Sequence, residues 1–92
     1  MKPEETRAMI VRHRIENGRH CVAIYTPGRS DEFRSASWPD DADTTSLDAL
    51  LAGYWDAWKW APRFDANAVF VYSTDEDALQ AFDNEVNGDV CD

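Results

Sequence analysis

The sequence predicts an α+β fold, a two-layer sandwich in which an antiparallel sheet carries two helices on one face, in the order β-β-β-α-β-α. Three observations carry the prediction. Alternating apolar residues flank Asn17-Gly18, apolar residues recur at helical spacing from Leu47 to Ala61, and a short apolar run at 68–72 precedes a second helical stripe. Strands that come early, followed by helices, sort into one sheet layer and one helix layer. The 92 residues are read as a single domain, 1–92, because a chain of this length is too short to divide.

Residues 7–26 form the first hairpin. Asn17-Gly18 supplies the positive φ angles of a two-residue turn between β-branched runs. That turn sets Glu16 opposite Arg19, Ile15 opposite His20, His13 opposite Val22, Val11 opposite Ile24 and Met9 opposite Thr26. Opposed residues share a face, so Met9, Val11, Ile15, Val22 and Ile24 make one apolar face. Ile10, Arg12, Arg14, Cys21, Ala23 and Tyr25 make the other. A slip of one residue would bury the arginines, so the register is well specified.

Pro27-Gly28 fits the centre of a type II turn. Asp31 to Trp38 then forms a polar edge strand, with Glu32, Arg34, Ala36 and Trp38 on one side, and residues 39–44 form a loop. Thr45-Ser46-Leu47-Asp48 reads as a capping box with Asp in the usual Glu position. The helix it opens runs to about Trp60 and presents Leu47, Leu50, Leu51, Tyr54, Trp58 and Ala61 to the sheet, and Pro62 ends it. Gly53 costs that helix about 1 kcal/mol relative to alanine, which points to a close approach there. Ala68 to Tyr72 is apolar on both faces and is read as a central strand. Ser73 or Thr74 caps the last helix, Asp75, Glu76 and Asp77 suit its positive end, and Asp77 is the acid expected to serve the cap. Leu79, Phe82 and Val86 form its buried stripe, and Asn87-Gly88 is its stop signal.

Composition narrows the function. The 43% hydrophobic and 12% aromatic content belongs to a folded chain, and no apolar run reaches a membrane span. The first residues lack the apolar stretch of a signal peptide. With Cys91 near the terminus and Cys21 in a strand, two reduced thiols in a cytoplasmic protein are expected rather than a disulfide.

No catalytic motif is present. Ser30, Ser35, Ser37, Ser46 and Ser73 sit in no nucleophile-elbow context, and the glycines form no phosphate loop. His13 and His20 are diagonal neighbours on one side of the hairpin, read as structural residues half covered by a helix. They lack the further ligands and spacing of a metal site, and Asp41-Ala42-Asp43 lacks the rest of a calcium loop. The carboxylates lie in loops, caps and helix faces, where solvation leaves them ordinary. The expectation is a protein that is not an enzyme and holds no metal or cofactor.

Charge points to binding instead. The net charge is −9, and residues 47–92 carry about −8 of it, with only Lys59 and Arg63 opposing the acids. Such a field repels nucleic acid and anionic membranes and attracts basic protein surfaces. Arg12, Arg14 and Arg19 are too few to reverse it. The acids expected to meet a partner are Asp40, Asp41 and Asp43 in the loop, and Asp75, Glu76, Asp83, Glu85 and Asp89 around the last helix. The aromatic cluster at 54–60 adds to them. Tyr54 and Trp58 lie on the core stripe, whereas Trp55 or Trp60, and Trp38, are left partly exposed and suited to anchor a partner.

In size, acidity and α+β layout the chain resembles the small anti-CRISPR proteins that phages encode against host defence. The resemblance is one of whole-chain profile, with no shared motif, so it carries over no residue. It implies an inhibitor in the host cytoplasm, monomer or homodimer, that binds a CRISPR surveillance complex or nuclease. Its acids would occupy the path meant for target DNA, which presents one charge per roughly 1.7 Å of axis. The same electrostatics suit an immunity protein or antitoxin against a basic toxin nuclease, and a viral structural or assembly protein is the third reading.

Overall fold

Asn17 and Gly18 adopt left-handed φ angles of 53° and 71°, which gives their turn the twist of the strands it joins. It connects β1 (Ala8–Glu16) to β2 (Arg19–Tyr25), paired antiparallel from Ile10–Tyr25 to Glu16–Arg19 in the predicted register. At the next turn the Arg29 N–H donates to Thr26 O at 3.2 Å and Gly28 has φ 73°, the type II geometry that Pro27-Gly28 predicts. β3 (Glu32–Pro39) follows as an antiparallel edge strand. A bulge opposite Ile24 and Tyr25 pairs Glu32 with Tyr25 and so moves it to the open face, away from Arg34, Ala36 and Trp38.

The computed structural model describes residues 6–41 and 43–87, so Asp89, Cys91 and the Gly88 stop signal lie outside the described residues. α1 (Ser46–Trp60) crosses one face of the sheet, and a 3-10 turn, Ala61–Phe64, leads to β4 (Ala68–Ser73). The sheet order is β3-β2-β1-β4, with β4 parallel to β1. The architecture is α+β with both helices on one face, but the sheet is mixed where an antiparallel one was expected, and β4 is an edge where a central strand was expected. The helical crossover is the reason: it returns the chain to the end where β1 starts, so the next strand runs alongside β1 in the same direction. There the Arg7 N–H donates to Asn67 Oδ1 at 3.0 Å and the Asn67 N–H to Arg7 O at 2.8 Å, which fixes the first pair of the parallel ladder.

Met9, Val11, Val22 and Ile24 meet Ala49, Ala57 and Ala61 in the core between sheet and helix. Ile15, assigned to that core from its alternation, is 41% exposed because β1 extends past the helices there. α1 is also rotated from its expected orientation. Its buried residues are Ala49, Leu50, Gly53 and Ala57, a line of mostly small side chains. Leu47, Leu51 and Tyr54 turn toward α2 (Glu76–Asn87), packing around Leu50, Ala78 and Phe82, while Trp58 is left exposed. Gly53 explains the rotation. A Cβ there would lie 2.8 Å from Val11 Cγ1 and 2.8 Å from Val22 Cγ1, so the helix backbone rests directly on the two valines.

Candidate functional site

Both helices begin at the end of the sheet where β1 and β4 finish. Thr45 caps α1: its Oγ1 accepts the Asp48 N–H at 3.1 Å, and Asp48 Oδ2 accepts the Thr45 N–H at 3.1 Å, completing the predicted box. Asp75, rather than Asp77, Ser73 or Thr74, caps α2, accepting the Ala78 N–H at 3.2 Å. Ser73 serves the same turn by accepting the Asp75 N–H at 2.9 Å. The Ala78 N–H, and then the Ser46 hydroxyl from the start of α1, hold the Asp75 carboxyl below the usual carboxylate range. One carboxylate thus ties the two helix starts together.

Beneath this end lies a polar chain. His13 is 3% exposed and His20 is wholly buried, so they are core residues rather than half-covered ones. Their rings stack with centroids 5.2 Å apart, and His13 Nε2 lies 3.0 Å from His20 Nδ1. His20 Nε2 faces two acceptors, Asp40 Oδ1 at 3.0 Å and Thr44 O at 3.2 Å, so it carries the proton. His20 Nδ1 then accepts from His13 Nε2–H, and His13 Nδ1 accepts from the Ser73 hydroxyl at 2.7 Å. The hydrogen bonds from the Asp75 N–H through Ser73, His13 and His20 to Asp40 thus form one continuous chain. Burial, and then the neighbouring His20 ring, push the His13 imidazolium below its ordinary range, although Asp75 and Asp40 pull it up.

The serine–histidine contact, at 2.7 Å, has the reach of a nucleophile and its base. The Ser73 oxygen also accepts the Asp75 N–H, and the acids Asp75, Glu76 and Asp77 follow it at the start of α2. Among the described residues no group of three or more His, Cys, Asp or Glu is placed to hold a metal ion. The arrangement is a buried brace for the loop and the helix starts.

Above it sits an acidic rim. Asp40, Asp41 and Asp43 follow β3 and Asp75 and Glu76 follow β4 at this end of the sheet, with Asp40 and Asp75 joined through His20, His13 and Ser73. Asp41 Oδ1 accepts the Asp43 N–H at 2.9 Å and the Thr44 N–H at 3.2 Å, so its carboxylate shapes the loop. Asp83 and Glu85 are exposed further along α2, with Asp83 accepting from Asn87 Nδ2 at 2.8 Å. The tryptophans separate into two kinds. Trp55 is 61% exposed. Trp38 is half-buried against the core, and Trp60 packs there too, with the Arg34 and Arg63 guanidiniums over its ring at 5.5 and 5.3 Å.

Among the described residues no helix packs on the opposite face of the sheet. Arg12 and Arg14 are exposed there, with Arg12 over the Tyr25 ring at 5.5 Å, and Phe70 and Tyr72 from β4 are 45% and 52% exposed. Cys21, unbridged, is half-buried on this face. Alternation along 68–72 foretells the side of Phe70 and Tyr72, but their exposure depends on β4 lying at the edge. No helix of the described residues is long and apolar enough to cross a membrane. No protein-family profile, curated protein or solved structure matches the chain.

Proposed function

We propose that the protein is a non-enzymatic inhibitor that binds a nucleic-acid-binding complex of host defence through an acidic surface and displaces target DNA. A CRISPR surveillance complex is the partner that its overall profile suggests. The observation that supports this most is the gathering of Asp40, Asp41, Asp43, Asp75 and Glu76 at one end, over a buried hydrogen-bonded brace. Asp40, Asp41 and Asp75 are each fixed through a hydrogen bond, and a carboxylate keeps acceptor capacity beyond the one bond it makes. Positioned negative charge of this kind meets a row of Lys and Arg with little ordering cost. Trp55 is the exposed aromatic that can anchor the contact.

The test is competition for DNA. Anisotropy of labelled target DNA on purified CRISPR surveillance complex should fall as the protein is added to stoichiometry. The variant Asp43→Lys/Glu76→Lys/Asp83→Lys, which spares the capping Asp75, should restore DNA binding while keeping its melting temperature. DNA binding that persists with the protein in excess rejects the reading. Association should also slow as salt rises from 50 to 300 mM, because the Debye length shrinks below ~10 Å over that range. A flat salt response with DNA displacement intact assigns the contact to Trp55 instead.

A further inference from the structure

The two edges of the sheet are built differently. β3 is guarded: it has a bulge, Arg34 among its residues, serines at 35 and 37, and Pro39 at its end. β4 has none of these. Ala68-Val69-Phe70-Val71-Tyr72-Ser73 contains no charge, proline or bulge, and among the described residues β1 alone pairs with it, on one side. A groove of about 920 Å³ runs along the open side, between β4 and α2. Phe70, Tyr72, Leu79 and Val86 give it apolar walls, and Glu76 and Asp83 are its charged lining residues, with no base among them.

We infer that β4 is a template for strand addition, and that its occupant is an extended, basic segment of the protein partner. The inference rests on the acidic-surface reading above and gives that contact a backbone geometry. The added segment would pair with the free side of β4, set alternate apolar side chains beside Phe70 and Tyr72 on the uncovered face, and direct the intervening Lys or Arg over α2, their stems along Leu79 and Val86 and their charges toward Glu76 and Asp83. Charge argues against a second copy of this chain as the occupant. Pairing two β4 edges would bring two α2 helices together, each with Glu76, Asp77, Asp83 and Glu85 and no base.

The experiment uses the full chain, isotopically labelled, and a synthetic peptide of about eight residues that alternates valine with lysine or arginine. The peptide should shift β4 and α2 amide resonances and slow exchange of β4 amides. Backbone N-methylation along its pairing edge removes the hydrogen bonds to β4 and should weaken binding roughly tenfold. Phe70→Lys and, separately, Tyr72→Lys should weaken it as well, with circular dichroism confirming the fold. Shifts confined to the Asp40–Thr44 loop and the start of α2 overturn strand addition and leave the acidic-surface reading standing. Equal binding at β4 of a peptide with glutamate for lysine and arginine overturns the basic occupant, and with it the electrostatic reading of the function. Dimerisation that Phe70→Lys abolishes, or the absence of any β4 response at millimolar peptide, overturns the inference.

Discussion

His13, buried beside a second imidazole and hydrogen-bonded to Ser73, makes this protein's stability sensitive to pH. His13 binds a proton less readily in the fold than in the unfolded chain, where its pKa is near 6.5. Stability is therefore complete above that value and falls as pH drops through it toward the lower folded-state value. The slope for one such proton is at most about 1.4 kcal/mol per pH unit. Urea denaturation at pH 7.5 and 5.5 should show the lower stability at 5.5, with His13→Gln reducing the difference. Equal stability at the two pH values would show that the unfolded chain gains no proton advantage here. Gly53→Ala tests the other contact set by a single residue. Placing a Cβ 2.8 Å from two valine methyl groups should cost about 1–3 kcal/mol of strain, against which better helix propensity returns up to about 1 kcal/mol. A net loss in melting temperature is expected, and an unchanged value would mean that α1 lifts off the sheet without cost. The adjacency of the histidines was legible from the Asn17-Gly18 register. Their burial was not, because it depends on the 40–44 loop and the α2 start closing over them.

For the elements, the caps are the exposed parts most open to test. Asp75→Ala removes the α2 cap and its bond to Ser46 and should cost about 1 kcal/mol, whereas Asp75→Asn retains an acceptor and should cost less. Because the Asp75 carboxyl is held below its ordinary value, the charged form contributes stability above about pH 4 that is lost as pH falls further. Asp75→Asn should therefore flatten the acid end of the stability profile, which denaturation between pH 5 and 3 would reveal. The start of α1 was readable because a capping box is local. Its facing was not. Leu47, Leu51, Tyr54 and Trp58 make a convincing stripe by size, but the helix turned its smallest residues to the sheet because Gly53 permits closer backbone contact. β4 was misplaced for a related reason. A run that is apolar on both faces fits the middle of a sheet, and it fits equally an edge strand whose second face and free side are left open.

Across the whole molecule, charge is distributed by layer and by end. Acids crowd the helix starts, while on the uncovered sheet face Arg12 and Arg14 are offset by Glu16 and Glu32 beside Tyr25, Phe70 and Tyr72. A net charge of −9 on 92 residues repels itself, and added salt screens that repulsion. Raising sodium chloride from 20 to 200 mM at pH 7.5 should raise the melting temperature. Relief of about 1 kcal/mol corresponds to roughly 4–8 °C for a domain of this size. A fall would mean that local ion pairs such as Arg34–Asp56, at 2.8 Å, outweigh the net repulsion. Neighbouring residues, or a sum over them, settle the hairpin and its register, the turn types, the α1 cap, the helix spans and the acidity, so these were readable before any fold was known. Tertiary structure decided the direction and edge position of β4, the rotation of α1, the sealing of the histidine pair and the gathering of loop and helix acids at one end. Those outcomes depend on how distant segments share space, and local periodicity fixes neither the distance nor the orientation between them.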